Sequence, residues 1–195
     1  MFQVRIHGRG GQGVVTAAEM LSVAAFYDGL YAQAFPSFGS ERTGAPVVSY
    51  CRIDQRPIRI REPITHPDAI IVQDPTVLPL PGVVSDLALH AHVIINSSRS
   101  LAELVAQTWA AAVTTQTIDV LPAGEIAREH VGRPLPNAAL LGAFAGLTGQ
   151  VSLDGVEHAI REAFTGAVAE ANVAAARAAH AYVASMRGAS RVAAG

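Results

Sequence analysis

The chain has 195 residues, half of them apolar and 15% charged, which suits a single α/β domain with a full core. Its formal net charge of −2 provides no basic footprint for nucleic acid or an anionic membrane. All 14 basic residues are arginine, and Cys51 is the single cysteine. The lack of lysine excludes a Schiff-base enzyme and the usual Walker A loop. One cysteine cannot form an intrachain disulfide or supply the four thiolates of an iron–sulfur cluster.

The N-terminal residues do not resemble a targeting segment. The alternating stretch after Met1 contains Arg5 and Arg9 and lacks the apolar block of a signal peptide. No window of about 18 uninterrupted apolar residues predicts a membrane span. We therefore expect a cytoplasmic protein with no membrane span.

The beginning of the chain predicts a strand, a glycine-rich turn, a helix and a second strand, which is how a doubly wound α/β fold opens. The helix closes at Asp28-Gly29, where glycine is a common C-cap. These elements are assigned to Phe2–Ile6, Gly8–Gly13, Val14–Tyr27 and Tyr31–Phe35.

The middle of the chain alternates between β-prone and turn-forming segments. Two strands joined at Asp54-Gln55 predict a hairpin, and Ser100 is a good N-cap for a helix. The predicted strands are Pro46–Ile53, Arg56–Arg61, Asp68–Gln73, His92–Ile95 and Thr115–Val120, and the helix is Leu101–Ala112.

The last third is helical by its apolar periodicity. Its predicted helices are Ala123–His130, Asn137–Leu147 with Asn137 as cap, Asp154–Phe164 and Val168–Met186. Gly142 and Gly146 lie four residues apart and indicate close helix packing. We expect the final alanine-rich helix to dock on the sheet or on a neighbouring chain. The order of these strands and helices predicts an open, doubly wound, Rossmann-like α/β domain over residues 1–187, followed by a flexible tail over 188–195.

The turn between the first strand and helix fits G-x-G-x-x-G through Gly8, Gly10 and Gly13. Such a turn brings backbone N–H groups and a helix N-terminus to an anion. A nicotinamide dinucleotide also needs an acidic residue at the end of the second strand, which here ends at Phe35-Pro36. Three interpretations stay open: a dinucleotide, another phosphate-bearing ligand shared with a partner, or close packing without a ligand.

The loop Pro36–Pro46 is rich in small and polar residues. The second strand delivers it to the carboxyl edge of the sheet, beside the glycine turn, where open α/β sheets bind ligands. Glu41 and Arg42 are adjacent in this loop and are also explained by an exposed, solvated ion pair.

These segments together resemble the γ subunit of 2-oxoacid:acceptor oxidoreductases, the pyruvate:ferredoxin oxidoreductase family. The resemblance covers roughly residues 2 to 185. One departure is Thr43, where many relatives have a second arginine. The matching segments are Gly8–Gly13, Tyr31–Pro36, Phe38–Pro46, Arg52–Asp54, Pro57–Arg59, Asp68–Pro75 and Asn137 with Leu141-Gly142.

The resemblance implies a subunit of an enzyme that oxidatively decarboxylates a 2-oxoacid, forms an acyl-coenzyme A and reduces ferredoxin or a related acceptor. It implies that thiamine diphosphate and 4Fe-4S clusters are held by partner subunits, named α, β and a ferredoxin-like δ, in some complexes with a flavin or NAD(P) subunit. It places coenzyme A near this chain. The cofactor-binding residues expected on this basis are Gly8, Arg9, Gly10, Gly11, Gln12, Gly13, Ser37, Phe38, Gly39, Glu41, Arg42, Thr43 and Gly44, with no catalytic residue in this chain.

Two other functions stay open from the residues alone: a free-standing nucleotide-binding oxidoreductase and a purely structural subunit. The arginines 52, 56, 59 and 61 suit coenzyme A phosphates, an acidic partner surface or a solvated face equally well. His90 and His92 lack a third ligand at metal spacing, so no metal site is predicted. Cys51, in an apolar strand, is expected to be an inert buried thiol.

Overall fold

The architecture is a six-stranded sheet with helices. The computed structural model describes residues 1–37 and 43–192. The elements are β1 (Phe2–Arg9), α1 (Val14–Tyr27), β2 (Tyr31–Pro36), β3 (Pro46–Asp54), β4 (Ala69–Val72), β5 (His92–Asn96), α2 (Leu101–Val105), β6 (Thr117–Leu121), α3 (Ala123–Val131), α4 (Asn137–Thr148), α5 (Leu153–Ala163) and α6 (Gly166–Val192), with 3-10 helices at Pro75–Val77 and Thr108–Ala112.

The strands lie in the order β2-β3-β1-β4-β5-β6. Strands β1, β4, β5 and β6 are parallel neighbours, whereas β3 runs antiparallel between β2 and β1. Because β3 is antiparallel to both, β2 and β1 point the same way and end at the same edge. The predicted α/β class with a helical C-terminal third is confirmed, and the inserted antiparallel strand makes the sheet mixed.

The predicted strand over Arg56–Arg61 is wrong. Both edges of β3 are already occupied, by β2 on one side and β1 on the other, so no edge remains for a hairpin partner. The Asp54 carboxylate instead accepts a hydrogen bond from the Arg56 N–H at 3.1 Å and turns the chain. The Arg52 guanidinium then holds the following segment through the carbonyl oxygen of Glu62, at 2.6 Å.

One face of the sheet carries the larger core. Residues alternate along β1, so Val4 and Ile6 point to this face and are fully buried. They pack in one cluster with Leu21 of α1 and Phe144 of α4. This face therefore seats the helices α1, α4, α5 and α6.

The opposite face buries a smaller core around Ile70 and Val93, which includes Leu104 and Trp109. The predicted single helix Leu101–Ala112 is wrong, because it is divided into α2 and the 3-10 helix Thr108–Ala112. Five residues along a continuous α-helix turn its side chains about 140° apart, so Leu104 and Trp109 could not both face this core. The predicted Ser100 cap is confirmed as a capping box with Glu103.

Helices α4 and α6 pack closely through glycine, as predicted. A Cβ at Gly142 would overlap the backbone carbonyl of Ala176, and one at Gly146 would lie 2.9 Å from a Val183 methyl. The alanine-rich helix α6 therefore docks within the chain, chiefly on α4. Helix α6 reaches Val192, and the flexible tail expected over 188–195 stays a prediction, with residues 193–195 outside the described part.

Glu157 links α5 to α6 through two arginines. Its carboxylate accepts from Arg177 at 2.6 Å and from Arg161 at 3.3 Å. Hydrogen bonding from Arg177, opposed by burial and aided by Arg161, lowers the pKa of Glu157. Within residues 1–37 and 43–192, no helix combines the length and the apolar character needed to cross a membrane.

Candidate functional site

The glycine turn sits at the carboxyl end of β1 and leads directly into α1. A Cβ at Gly8 would lie 2.8 Å from a Val14 methyl, so glycine is needed for the close approach of strand and helix. Gly13 has a φ of 73° and caps α1 in the left-handed conformation. The motif thus performs the packing role of a glycine-rich turn whether or not a ligand is bound.

The first turn of α1 opens onto a groove at this edge. No side chain caps the helix at Gly13, so the N–H groups of its first turn have no partner within the helix. The groove has a volume of about 300 Å³. Its lining residues are Arg9, Gly10, Gly11, Gly13, Val14, Val15 and Val47. Unpaired N–H groups and the positive end of the helix dipole suit an anion such as a phosphate.

The Arg9 guanidinium is held by neighbours in the fold. It donates to the Thr76 hydroxyl at 2.8 Å and to the Gly44 carbonyl at 3.0 Å, and its Nε lies 3.4 Å from the Asp74 carboxylate. Its charge is therefore already paired. The prediction that Arg9 contacts a cofactor stays a prediction, and its visible role is to clamp the turn.

Gln12 is engaged at both ends of its amide. Its oxygen accepts from the Arg9 N–H at 2.7 Å, and its nitrogen donates to Asp74 at 3.0 Å. Burial works against the charged form of Asp74, but hydrogen bonds from Thr76 and Gln12 and the charge of Arg9 outweigh it and lower the pKa of Asp74. The partly buried Asp74 carboxylate therefore holds the glycine turn in place, although Asp74 lies 62 residues after Gln12 in the sequence.

The loop after β2 returns to the glycine turn as predicted. The Gly10 N–H donates to the Ala45 carbonyl at 2.8 Å, and the Gly44 N–H donates to the Gly10 carbonyl at 3.1 Å. Ser37 donates its N–H to Val48 at 3.0 Å, and Thr43 is exposed. Ser37, Thr43 and Gly44 thus lie at the ends of the loop. The remaining predicted residues, Phe38, Gly39, Glu41 and Arg42, lie outside the described residues.

Asn137 is a site residue whose role the sequence did not reveal. Its position after a proline predicts a helix cap, but Pro136 holds that position and Asn137 is the first helical residue. The Asn137 side chain donates to the Gly13 carbonyl at 3.2 Å and accepts from Gln73 at 2.8 Å. It ties the end of the glycine turn to α4 and to Gln73, the residue that follows β4, which no local pattern could indicate.

The nicotinamide interpretation finds no support in this geometry. The strand beside β1 on the β2 side is β3, which is antiparallel and begins at this edge with Pro46 and Val47. The position where a dinucleotide-binding sheet presents an acidic residue to the ribose is therefore not formed by β2.

Cys51 is fully buried in β3 and free. Burial raises the pKa of its thiol to about 12, so it stays protonated and unreactive. The prediction of an inert buried thiol is confirmed. Because this is the only cysteine of the chain, an iron–sulfur cluster with four thiolates cannot be built from these residues.

Together, the mixed sheet and the uncapped helix at its carboxyl edge define an α/β protein with a glycine turn between β1 and α1. Residues 3–182 match the family described as pyruvate ferredoxin/flavodoxin oxidoreductase. The chain belongs to this family, in line with the resemblance that its motifs carry.

Named relatives give the same assignment. The pyruvate synthase subunit PorC of Methanosarcina barkeri is 47% identical over 83% of this chain and 85% of its own length. The pyruvate/ketoisovalerate oxidoreductases common subunit gamma of Pyrococcus furiosus is 44% identical over 92% of this chain and 96% of its own length. The chain is thus a γ-type subunit of an oxidoreductase complex.

Solved structures agree in fold. The pyruvate oxidoreductase subunit PORC of Thermotoga maritima is 34% identical with a TM-score of 0.79, covering 92% of this chain and 94% of its own. The 2-oxoglutarate:ferredoxin oxidoreductase of Magnetococcus marinus, a structure with 2-oxoglutarate, coenzyme A and succinyl-CoA bound, has a TM-score of 0.74 at 15% identity. The match covers 94% of this chain but only 31% of the Magnetococcus marinus chain. At this low identity, it shows a shared fold and nothing more.

Proposed function

We propose that this chain is the γ subunit of a 2-oxoacid oxidoreductase whose glycine turn binds the phosphates of coenzyme A beside the active centre. The observation that carries the proposal is the uncapped N-terminus of α1, which opens onto a groove of about 300 Å³. A diphosphate placed there accepts hydrogen bonds from backbone N–H groups and meets the positive end of the helix dipole.

Backbone groups carry this binding rather than the Arg9 side chain. The Arg9 guanidinium is paired with Asp74 and bonded to Thr76, so it contributes mainly by fixing the turn. Gln12 does the same through both ends of its amide. A site held rigid in this way loses little conformational freedom when the ligand binds.

The proposed partners supply what this chain lacks. Thiamine diphosphate and iron–sulfur clusters belong to other subunits in this family, and we assign them to α, β and ferredoxin-like δ subunits in the cytoplasm. In some assemblies of this type, a flavin or NAD(P) subunit passes the electrons on in place of ferredoxin. The Pyrococcus furiosus relative is named as common to pyruvate and ketoisovalerate oxidoreductases, so we expect other subunits to select the 2-oxoacid.

The variant Gly11→Ala tests the phosphate site in the assembled complex. Gly11 has a φ of 92° and open space around it, so alanine strains the turn without a clash. We expect the KM for coenzyme A to rise about tenfold, the effect of losing one hydrogen bond to a charged group, while the KM for the 2-oxoacid is unchanged.

The matched control is Gly132→Ala. Gly132 has a φ of 78°, also with nothing within 4 Å, and it caps the far end of α3. Gly132→Ala imposes a similar backbone strain away from the groove. We expect it to leave the KM for coenzyme A and the KM for the 2-oxoacid unchanged. If Gly11→Ala assembles normally and the KM for coenzyme A does not move, the chain is a structural subunit and the proposed phosphate site is wrong.

A further inference from the structure

The segment between β3 and β4 carries a cluster of positive charge. Arg56, Arg59 and Arg61 are exposed and lie close together in sequence, with Glu62 as the one acidic residue beside them. Residues 55–62 are called the arginine segment below. The chain as a whole has a formal net charge of −2, so this cluster differs in sign from the rest of the molecule. A local reversal of charge of this kind marks a candidate interaction surface.

The three guanidinium groups have no partner in the part of the chain that the structure describes. They form no ion pair and donate no hydrogen bond there. The two aspartates at this edge of the sheet bind main-chain N–H groups instead, Asp54 that of Arg56 at 3.1 Å and Asp68 that of Gln3 at 2.8 Å. The charge of the arginine segment is therefore not neutralised by these neighbours.

The main chain of the arginine segment is held in place by a buried arginine. Arg52, on β3, is only 2% exposed. Its guanidinium donates to the carbonyl oxygens of Glu62 at 2.6 Å and Ile60 at 3.5 Å. Pro57 restricts the backbone further, because its ring fixes φ. Guanidinium groups on a fixed main chain lose less conformational freedom on binding than groups on a mobile loop.

An apolar side chain accompanies the charges. Ile60 lies between Arg59 and Arg61 in sequence and is 46% exposed. Arginine next to exposed apolar surface is typical of protein–protein interfaces, which are enriched in arginine and depleted in lysine. Nucleic acids and anionic membranes are bound by larger basic areas than three arginines provide. The composition of the arginine segment therefore favours a protein partner.

The arginine segment lies far from the glycine turn. Pro46, at the start of β3, pairs with Arg9 beside that turn. Arg52, which holds the arginine segment, pairs with Gln3 near the other end of β1. The six residues from Pro46 to Arg52 span about 20 Å of strand. Phosphates bound at the turn are thus out of reach, and of the ligands considered for these arginines the acidic partner surface is the one that fits.

We propose that the arginine segment docks on an acidic surface of another subunit of the oxidoreductase complex. Aspartate or glutamate side chains of that subunit pair with Arg56, Arg59 and Arg61, and Ile60 is buried in the contact. A guanidinium presents paired N–H groups that match the two oxygens of a carboxylate. This inference rests on the proposed function only in taking the chain as a subunit of such a complex.

Binding of this chain to the remaining subunits of its complex tests the role of charge. The triple variant Arg56→Gln, Arg59→Gln, Arg61→Gln removes three charges and keeps polar side chains. We expect its dissociation constant to be about tenfold higher than that of the wild type at low salt, as the loss of three exposed ion pairs implies. The difference shrinks at high salt, because salt screens exposed charges.

The matched control is the triple variant Arg99→Gln, Arg128→Gln, Arg133→Gln. These arginines are also exposed, and the variant removes the same charge from other parts of the surface. We expect it to bind the remaining subunits like the wild type. Thermal unfolding followed by circular dichroism verifies that both triple variants are folded.

The lack of lysine in this chain allows the contact to be located directly. The variant Arg59→Lys keeps the charge and introduces the only side-chain amine. A carbodiimide joins an amine to a carboxylate in contact with it, with loss of water. We expect mass spectrometry of the treated complex to find position 59 joined to an aspartate or glutamate of another subunit. Arg128→Lys, on the exposed side of α3, is the control and does not form this link.

The outcomes separate this proposal from the phosphate site. Equal dissociation constants for the wild type and the variant of the arginine segment, or equal losses in both triple variants, overturn the docking surface. So does a normal dissociation constant combined with a raised KM for coenzyme A, which assigns these arginines to phosphate. The same link from Arg128→Lys as from Arg59→Lys, or no link from Arg59→Lys, also overturns it. The KM for coenzyme A in Gly11→Ala decides the phosphate site independently, and a wild-type chain that does not bind the remaining subunits overturns both proposals.

Discussion

Arg9 and Asp74 show how side chains at a glycine-rich turn can serve the fold. Arg9 lines the groove at the glycine turn, yet its guanidinium donates to Thr76 and Gly44. Asp74 collects Thr76, Gln12 and Arg9 around one carboxylate. The turn is thus preorganised by residues that are more than 60 positions apart in sequence.

The variant Asp74→Asn tests this role. Because the pKa of Asp74 is held below its usual value of about 3.9, the carboxylate stabilises the folded state fully above that pH and progressively less as pH falls through its folded pKa. At neutral pH we expect Asp74→Asn to lower the free energy of unfolding by about 1 kcal/mol, since charge-assisted hydrogen bonds become neutral ones.

Urea unfolding between pH 3 and pH 7 measures this effect. The difference between wild type and Asp74→Asn is expected to shrink below about pH 4. Glu129→Gln, which removes a carboxylate from the exposed side of α3, is the control and stays within about 0.5 kcal/mol of wild type. A difference for Asp74→Asn that is the same at every pH contradicts the charged network.

At the scale of elements, the two decisive features are the inserted strand β3 and the crossing of α4 with α6. The inserted strand brings the C-terminal end of the Pro36–Pro46 loop to the glycine turn, through Gly10, Gly44 and Ala45. The helix crossing is close because Gly142 presents no side chain to the backbone of Ala176. Together these features place α4, and with it Asn137, against the turn.

The variant Gly142→Ala is expected to destabilise the chain by about 1–3 kcal/mol, since the new Cβ overlaps a backbone carbonyl that cannot move alone. This outweighs the gain in helix propensity of about 1 kcal/mol. Thermal unfolding followed by circular dichroism measures the change. Gly124→Ala in α3 is the control, because its Cβ meets Asn96 at an ordinary 3.6 Å and is expected to be neutral or slightly stabilising. Equal melting temperatures for the two variants would contradict close α4–α6 packing.

At the scale of the whole molecule, the chain is one part of an enzyme. Its only cysteine is buried and protonated, so this chain does not supply the four thiolates of an iron–sulfur cluster. The family assignment covers residues 3–182, nearly all of the fold. The proposed phosphate site lies at the edge of the sheet that carries the glycine turn.

The purified chain alone is expected to show no oxidation of a 2-oxoacid, because it lacks the residues for a cluster. Mixing it with the remaining subunits of its own complex is expected to restore 2-oxoacid- and coenzyme A-dependent reduction of the acceptor, measured spectrophotometrically. The complex assembled without this chain is the control. Turnover by the isolated chain would contradict its role as a dependent subunit.

The sequence by itself determined the class of fold and the family. Periodicity and glycine placement located β1, α1, β2 and the helical last third, because those signals are local, and the ordered motifs identified the γ-type subunit. It also predicted the inert thiol of Cys51 from its apolar surroundings.

Only the tertiary structure decided which strands pair and what each site side chain contacts. The segment Arg56–Arg61 has the composition of a strand, but β2 occupies the edge it would need. Arg9 and Gln12 look like free ligand residues until Asp74 is brought beside them from β4's end. Pairing and burial are long-range properties, so they are fixed by the folded chain as a whole.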